Sequence, residues 1–208
     1  VNIDETTYMF SPKVLDRANV IEFRVTENDL VEFLNNPVKP DLEKIKGTGA
    51  GMAADFLSIA QEKIIEFVDK DIIKEELLKF FRELKKTGAE FGYRTSSEIF
   101  RFAGIVKKLT EADGSPWAVD EIIDMAVLQK LLPKLHGSRK KLEPVLKTLA
   151  LLCFKDNVSG SAELLANFEQ EPELIDADDN IRFKRSLEKI LRMKKRVEQD
   201  GFTSFAEA

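Results

Sequence analysis

Residues Val1–Phe23 read VNIDETTYMFSPKVLDRANVIEF, and the order of patterns within them sets the expected fold. The run opens without a methionine and inside an apolar alternation. Asp4, Glu5, Thr6 and Thr7 make an acidic turn, after which Ser11 fits an N-cap and Pro12 the first helical position. That short helix ends on Leu15-Asp16-Arg17, and Asn19-Val20-Ile21-Glu22-Phe23 resumes a strand-like pattern of Val, Ile and Phe. Strand, loop, helix, strand is one βαβ step. One such step cannot bury its own sheet, because parallel strands need partners at both edges and helices on both faces. The stretch is therefore expected to be the end of a larger α/β domain that precedes Val1.

The rest of the composition narrows the class. With 208 residues, 43% of them hydrophobic, the chain can build one or two domains with real cores. A formal net charge of -5 argues against a general polyanion binder. The single cysteine (Cys153) and single histidine (His136) exclude an internal disulfide and a Cys/His metal site, so no metal is expected. Reduced cysteine usage points to a cytoplasmic setting. No apolar run approaches the roughly 20 residues of a membrane span, so no membrane partner is expected.

After Phe23 the hydrophobic period moves from 2 toward 3.6. Thr26 with Asp29 predicts the start of a short helix carrying Leu30, Val31, Phe33 and Leu34. Gly47-Thr48-Gly49-Ala50-Gly51 resembles a phosphate loop only superficially. It lacks the Lys-Ser/Thr pair and follows a charged segment rather than a strand, so it reads as a connector. Apolar stripes predict helices over 52–70 and 71–87, the second closed by Gly88. Thr95 with Glu98 predicts another helix start, with Arg94 just outside it. Helices are expected over 117–135, with Pro133 bending or ending it, and over 138–154. Residues 155–179 are polar and acidic and read as a linker with a short helix near 162–168. A last helix is expected over 181–199, capped near Asp178–Asn180.

Five features are weighed as candidates for chemistry. Arg94 sits at the positive end of a helix dipole, which by itself favours an acid, so a cation there makes sense facing an anion; the plain alternative is a hydrogen bond to a loop carbonyl. Arg17 at a helix C-terminus is either a dipole-favoured surface cation or a residue reaching outward. Arg182, Arg185, Lys189, Arg192 and Arg196 repeat at three- and four-residue spacings and line one helix face. That stripe could contact nucleic-acid phosphates, or it could be a solvated face or pair with the acidic 155–179 segment. His136 has no nucleophile placed beside it by sequence and reads as a structural loop residue, and Cys153 as a buried apolar one.

The quoted stretch NIDETTYMFSPKVLDRANVIEF resembles the last part of the AAA+ NTPase core, from sensor-1 strand through arginine-finger helix to final strand, in its modified-cytosine restriction form. Gly92-Tyr93-Arg94 is similar to the family's sensor-2 motif, and Leu132-Pro133-Lys134-Leu135-His136-Gly137-Ser138-Arg139 is similar to a segment near the end of its lid. The resemblance is good over 1–24, fair over 88–153 and weak elsewhere. It implies a mainly α fold: a helical AAA+ lid bundle over 26–154, a short β/α remnant of the nucleotide-binding core over 1–25, and a linker with a C-terminal helical extension over 155–208. It implies Asn2 and Arg17 as catalytic residues, Asn2 orienting the attacking water and Arg17 stabilising charge in trans, and Arg94 as nucleotide-binding. The cofactor implied is ATP or GTP with Mg2+ in the full-length protein, held in a ring, hexameric in the parent, whose partners are neighbouring subunits and a nuclease. No G-x-x-x-x-G-K-[ST] lies in these residues, so the piece alone is expected to bind no nucleotide and to be inactive. The competing expectation is a stand-alone helical module that binds protein or DNA through 182–196.

Overall fold

The computed structural model describes residues 14, 17–39, 41–62, 66–156 and 158–208. The sensor-like strand with Asn2, and most of the helix expected before Arg17, lie outside them. Among the described residues the chain is mainly α-helical and divides into two compact units, Ile21–Ile65 and a larger one of Glu66–Ala208 with the residues up to Val20.

The smaller unit holds helix α1 (Glu27–Asn35) and helix α2 (Met52–Gln61). The expected box starts α1: the Asp29 N–H donates to Thr26 Oγ1 at 3.1 Å and the Thr26 N–H to Asp29 Oδ2 at 2.8 Å. The helix expected over 52–70 is shorter. It stops at Gln61, where Glu62 turns extended, and the next helix begins at Lys70. Neither α1 nor α2 buries a residue; Phe33 and Phe56 stay more than half exposed.

The larger unit is built from α3 (Lys70–Lys85), α4 (Tyr93–Ala112), α5 (Val119–Ala126), α6 (Arg139–Leu152), α7 (Ser161–Gln170) and α8 (Lys184–Asp200). Helices α6 and α8 form its centre and bury Leu142, Leu146 and Leu149 from one side and Leu187, Ile190 and Met193 from the other. Each such side chain contributes about 1.5–3 kcal/mol by leaving water. Strand β1 (His136–Ser138) pairs antiparallel with β2 (Phe202–Ser204), His136 opposite Ser204, which returns the chain end to the start of α6. The segment read as a linker is part of this core: Leu165, Phe168 and Ile175 are buried, and the Phe168 ring lies 6.2 Å from that of Phe154. Residues 18–26, expected to include a strand, form none.

Two departures in this unit have physical causes. The first is at α5, which continues as a π turn (Val127–Leu131) and a 3-10 turn (Leu132–Lys134). Pro133 has no N–H and its ring crowds the carbonyl four residues back, so the helix widens there. The second is the start of α8. It begins at Lys184 rather than near Ile181, and its cap comes from another helix. Asp124 on α5 accepts the Arg185 N–H at 2.9 Å through Oδ2 and the Ser186 N–H at 2.8 Å through Oδ1, while the Ser186 hydroxyl donates to Asp124 O at 3.0 Å. These amides are the second and third of α8, the donors an N-cap side chain ordinarily satisfies.

Candidate functional site

Helix α4 starts three residues earlier than the Thr95–Glu98 pair suggests. Gly92 is its extended N-cap and the Ser96 N–H donates to Gly92 O at 3.1 Å, so Arg94 is the second residue inside the helix. Thr95 and Glu98 serve another purpose. Thr95 is fully buried and accepts from Lys134 Nζ at 3.3 Å, and Glu98 forms an ion pair with Lys130 of the π turn. Lys130 is nearly buried, so its charge requires that carboxylate. The two lysines thus tie the first turns of α4 to the segment after α5. Arg94 projects from that fixed turn, exposed, and among the described residues its side chain has no hydrogen-bond or ion-pair partner.

The same face of α4 carries Glu98, Arg101 and Ile105, at helical spacings that place them in one row. They line a cavity of about 340 Å³ together with Arg17, Asn19, Gln129 and Lys130. Residues before Val20 reach it because the Val20 N–H donates to Gln129 O at 3.0 Å and the Val20 side chain packs on the core. Arg17 is exposed and, like Arg94, lacks a side-chain partner among the described residues. Arg94 does not line the cavity; it stands one turn before Glu98 on the same helix. Of the three residues singled out by resemblance, Asn2 lies outside the described residues. Such a site can attract and orient an anion. Among the described residues no group of three His, Cys, Asp or Glu side chains could hold a metal ion.

Of the basic stripe, Arg182 lies just before α8 rather than on it, and Arg182, Lys189, Arg192 and Arg196 all contact their own chain. Arg182 donates to Glu76 Oε1 at 2.9 Å and to Asp120 Oδ1 at 2.8 Å, and stacks 4.7 Å from the Phe183 ring. Those acids hold it charged even more firmly than a free guanidinium, against the opposing effect of burial. Lys189 is buried, its ammonium 4.2 Å from the Phe205 ring and donating to Ala208 O at 2.5 Å. Arg192 donates to the same oxygen at 2.9 Å, and Arg196 to Glu207 O at 2.5 Å. Arg185 extends past Met125 and is exposed. The stripe therefore clamps the segment 202–208 and, through Arg182, the acids Glu76 of α3 and Asp120 of α5.

The remaining candidates are structural. His136 Nδ1 lies 3.2 Å from Lys134 O, a hydrogen bond that shapes the turn into β1. Cys153 is buried, its thiol donating to Leu149 O at 3.4 Å, and burial pushes its pKa well up, which suppresses thiolate chemistry. Gly47 and Gly51 take left-handed conformations in a turn open on every side. Sequence reasoning missed the Glu98–Lys130 pair and the Asp124 cap, since both join residues more than thirty positions apart. The Gln129 acceptor had a readable signal, a proline four residues on.

No helix among the described residues is long and apolar enough to cross a membrane. A family model described as "Domain of unknown function (DUF8727)" matches residues 39–202. No curated protein and no solved structure matches the chain.

Proposed function

The chain belongs to the DUF8727 family, and we propose that it is the helical lid side of an AAA+ NTPase of the modified-cytosine restriction type. In this reading Arg94 reaches the terminal phosphate of ATP or GTP with its Mg2+, Arg17 acts on the nucleotide of a neighbouring subunit in a ring, and Asn2 orients the attacking water. Hydrolysis would drive movement of a partner such as a nuclease. The phosphates would be held by a preceding core, because these residues contain no phosphate loop.

One observation carries the reading. In an acidic chain where Arg182, Arg192 and Arg196 are engaged by acids or carbonyls, the two arginines named by the resemblance are, like Arg82, exposed and have no such partner among the described residues. Arg94 also projects from a turn fixed by two buried or half-buried lysines, which favours a defined direction over a mobile surface cation. A guanidinium offered without an internal acid is suited to charge brought by a ligand.

The test is made on the full-length gene product. Arg94→Ala is expected to weaken nucleotide binding by roughly 10- to 100-fold, the loss of one charge-assisted hydrogen bond. Arg17→Ala is expected to leave binding in place and lower turnover by about a thousandfold or more. Isothermal titration and a phosphate-release assay read the two effects separately. Unchanged binding and turnover in both variants would sink the assignment.

A further inference from the structure

The defect at the end of α5 has a consequence at Arg17. In an α-helix the carbonyl of residue i is taken by the N–H of residue i+4, so Gln129 O would be taken by residue 133. That residue is a buried proline, with no N–H to give. The backbone widens into the π turn, and the Leu132 N–H goes to Val127 O instead. Gln129 O, left without its helical donor, accepts the Val20 N–H. Val20 lies three residues beyond Arg17, a tether of no more than about 10 Å of chain. The tether is further stiffened where the Arg17 and Ala18 N–H groups both donate to Val14 O at 3.0 Å.

We propose that Pro133 is a positioning residue for Arg17: by denying Gln129 its helical donor it creates the acceptor that fixes the Arg17–Val20 segment to the helical body. The turn that carries Pro133 also carries Lys130 and Lys134, which hold the first turns of α4 and hence the base of Arg94. One backbone irregularity therefore sets both arginines relative to the same body, and a shift of the 127–134 segment moves them together. The functional meaning of this coupling rests on the phosphate-facing role given to Arg17 above; the coupling itself does not.

Pro133→Ala restores the missing N–H and is the direct test. Amide exchange followed by NMR on the chain is expected to accelerate roughly tenfold at Val20, with Leu146, Leu149 and Ile190 unaltered. Unchanged exchange at Val20 overturns the proposal. Should Pro133→Ala loosen α6 and α8 as well, Val20→Pro deletes the donor from the other side. It is expected to accelerate exchange at Arg17 and Ala18 alone, and unchanged rates there overturn the proposal equally. In the full-length product both variants should lower kcat several-fold without raising KM, and the double variant should be no worse than either single one. Additive losses count against the coupling. Faster exchange at Val20 with normal turnover upholds the coupling and removes the role of Arg17 in hydrolysis.

Discussion

At the scale of single residues, Asp124 does more for the fold than its place in the sequence suggests. Its carboxylate satisfies two amides of α8 from a helix some sixty positions earlier. Burial pushes its pKa above the ordinary 3.8, and the hydrogen bonds from Ser186 and Arg185 pull it back only in part. Because the folded state then binds this proton more tightly than the unfolded state, the stabilisation from this group is complete below pH 3.8. It is lost as pH rises through the folded pKa. Asp124→Asn, which keeps one acceptor and removes the charge, is expected to flatten that part of the stability–pH profile. Asp124→Ala leaves buried donors unmatched and should cost about 1–3 kcal/mol at neutral pH in urea unfolding. An Ala variant as stable as wild type would show that the cap contributes nothing to stability. The sequence shows Asp124 only as one of several acids at the start of an amphipathic helix, and its partner cannot be seen without the tertiary fold. Arg17 and Arg94, by contrast, stand out in the sequence itself, through the residues around them.

At the scale of elements, periodicity placed α3, α6 and most of α8, because each carries one apolar stripe and a glycine or proline at its border. It failed where a cap lay elsewhere, Gly92 in place of Thr95 and Asp124 in place of Asp178, while the break expected at Pro133 takes the form of a π turn just before it. The basic face of α8 was legible as a pattern but not as a purpose. Lysine and arginine at these spacings look alike whether they meet phosphates or the carbonyls of the chain's own last residues. With Arg192 already donating to Ala208 O and paired with Glu188 at 3.4 Å, Arg192→Ala is expected to leave duplex DNA affinity and its salt slope unaltered in anisotropy titrations. Exchange at the Thr203 and Ser204 amides should rise instead. A salt slope reduced by about one in the variant would mean that Arg192 contacts phosphate, and would restore the nucleic-acid reading.

At the scale of the molecule, the mainly α class was legible from the helical periods. Boundaries near 25 and 154 follow the drop in strand signal and the acidic 155–179 stretch; the contacts of the chain divide it into Ile21–Ile65 and a larger unit. Helices α1 and α2 carry apolar stripes but bury none of them, whereas α3 buries Ile73, Leu77, Phe80 and Leu84. Burial, not pattern, decides resistance to local opening. The unit with α6 and α8 has a continuous core from Ile73 to Phe205, whereas Lys39, Lys44 and Lys46 in the smaller unit lie fully on the surface. Limited trypsin digestion is therefore expected to cut first between Arg24 and Lys46, and to leave a fragment that begins no later than Gly47 and runs to the chain end, identified by mass spectrometry. That order follows from opening free energies near zero in one unit and near the global value in the other. First cuts inside α6 or α8, which carry as many lysines and arginines, would show that the buried core of the larger unit does not set the order of opening.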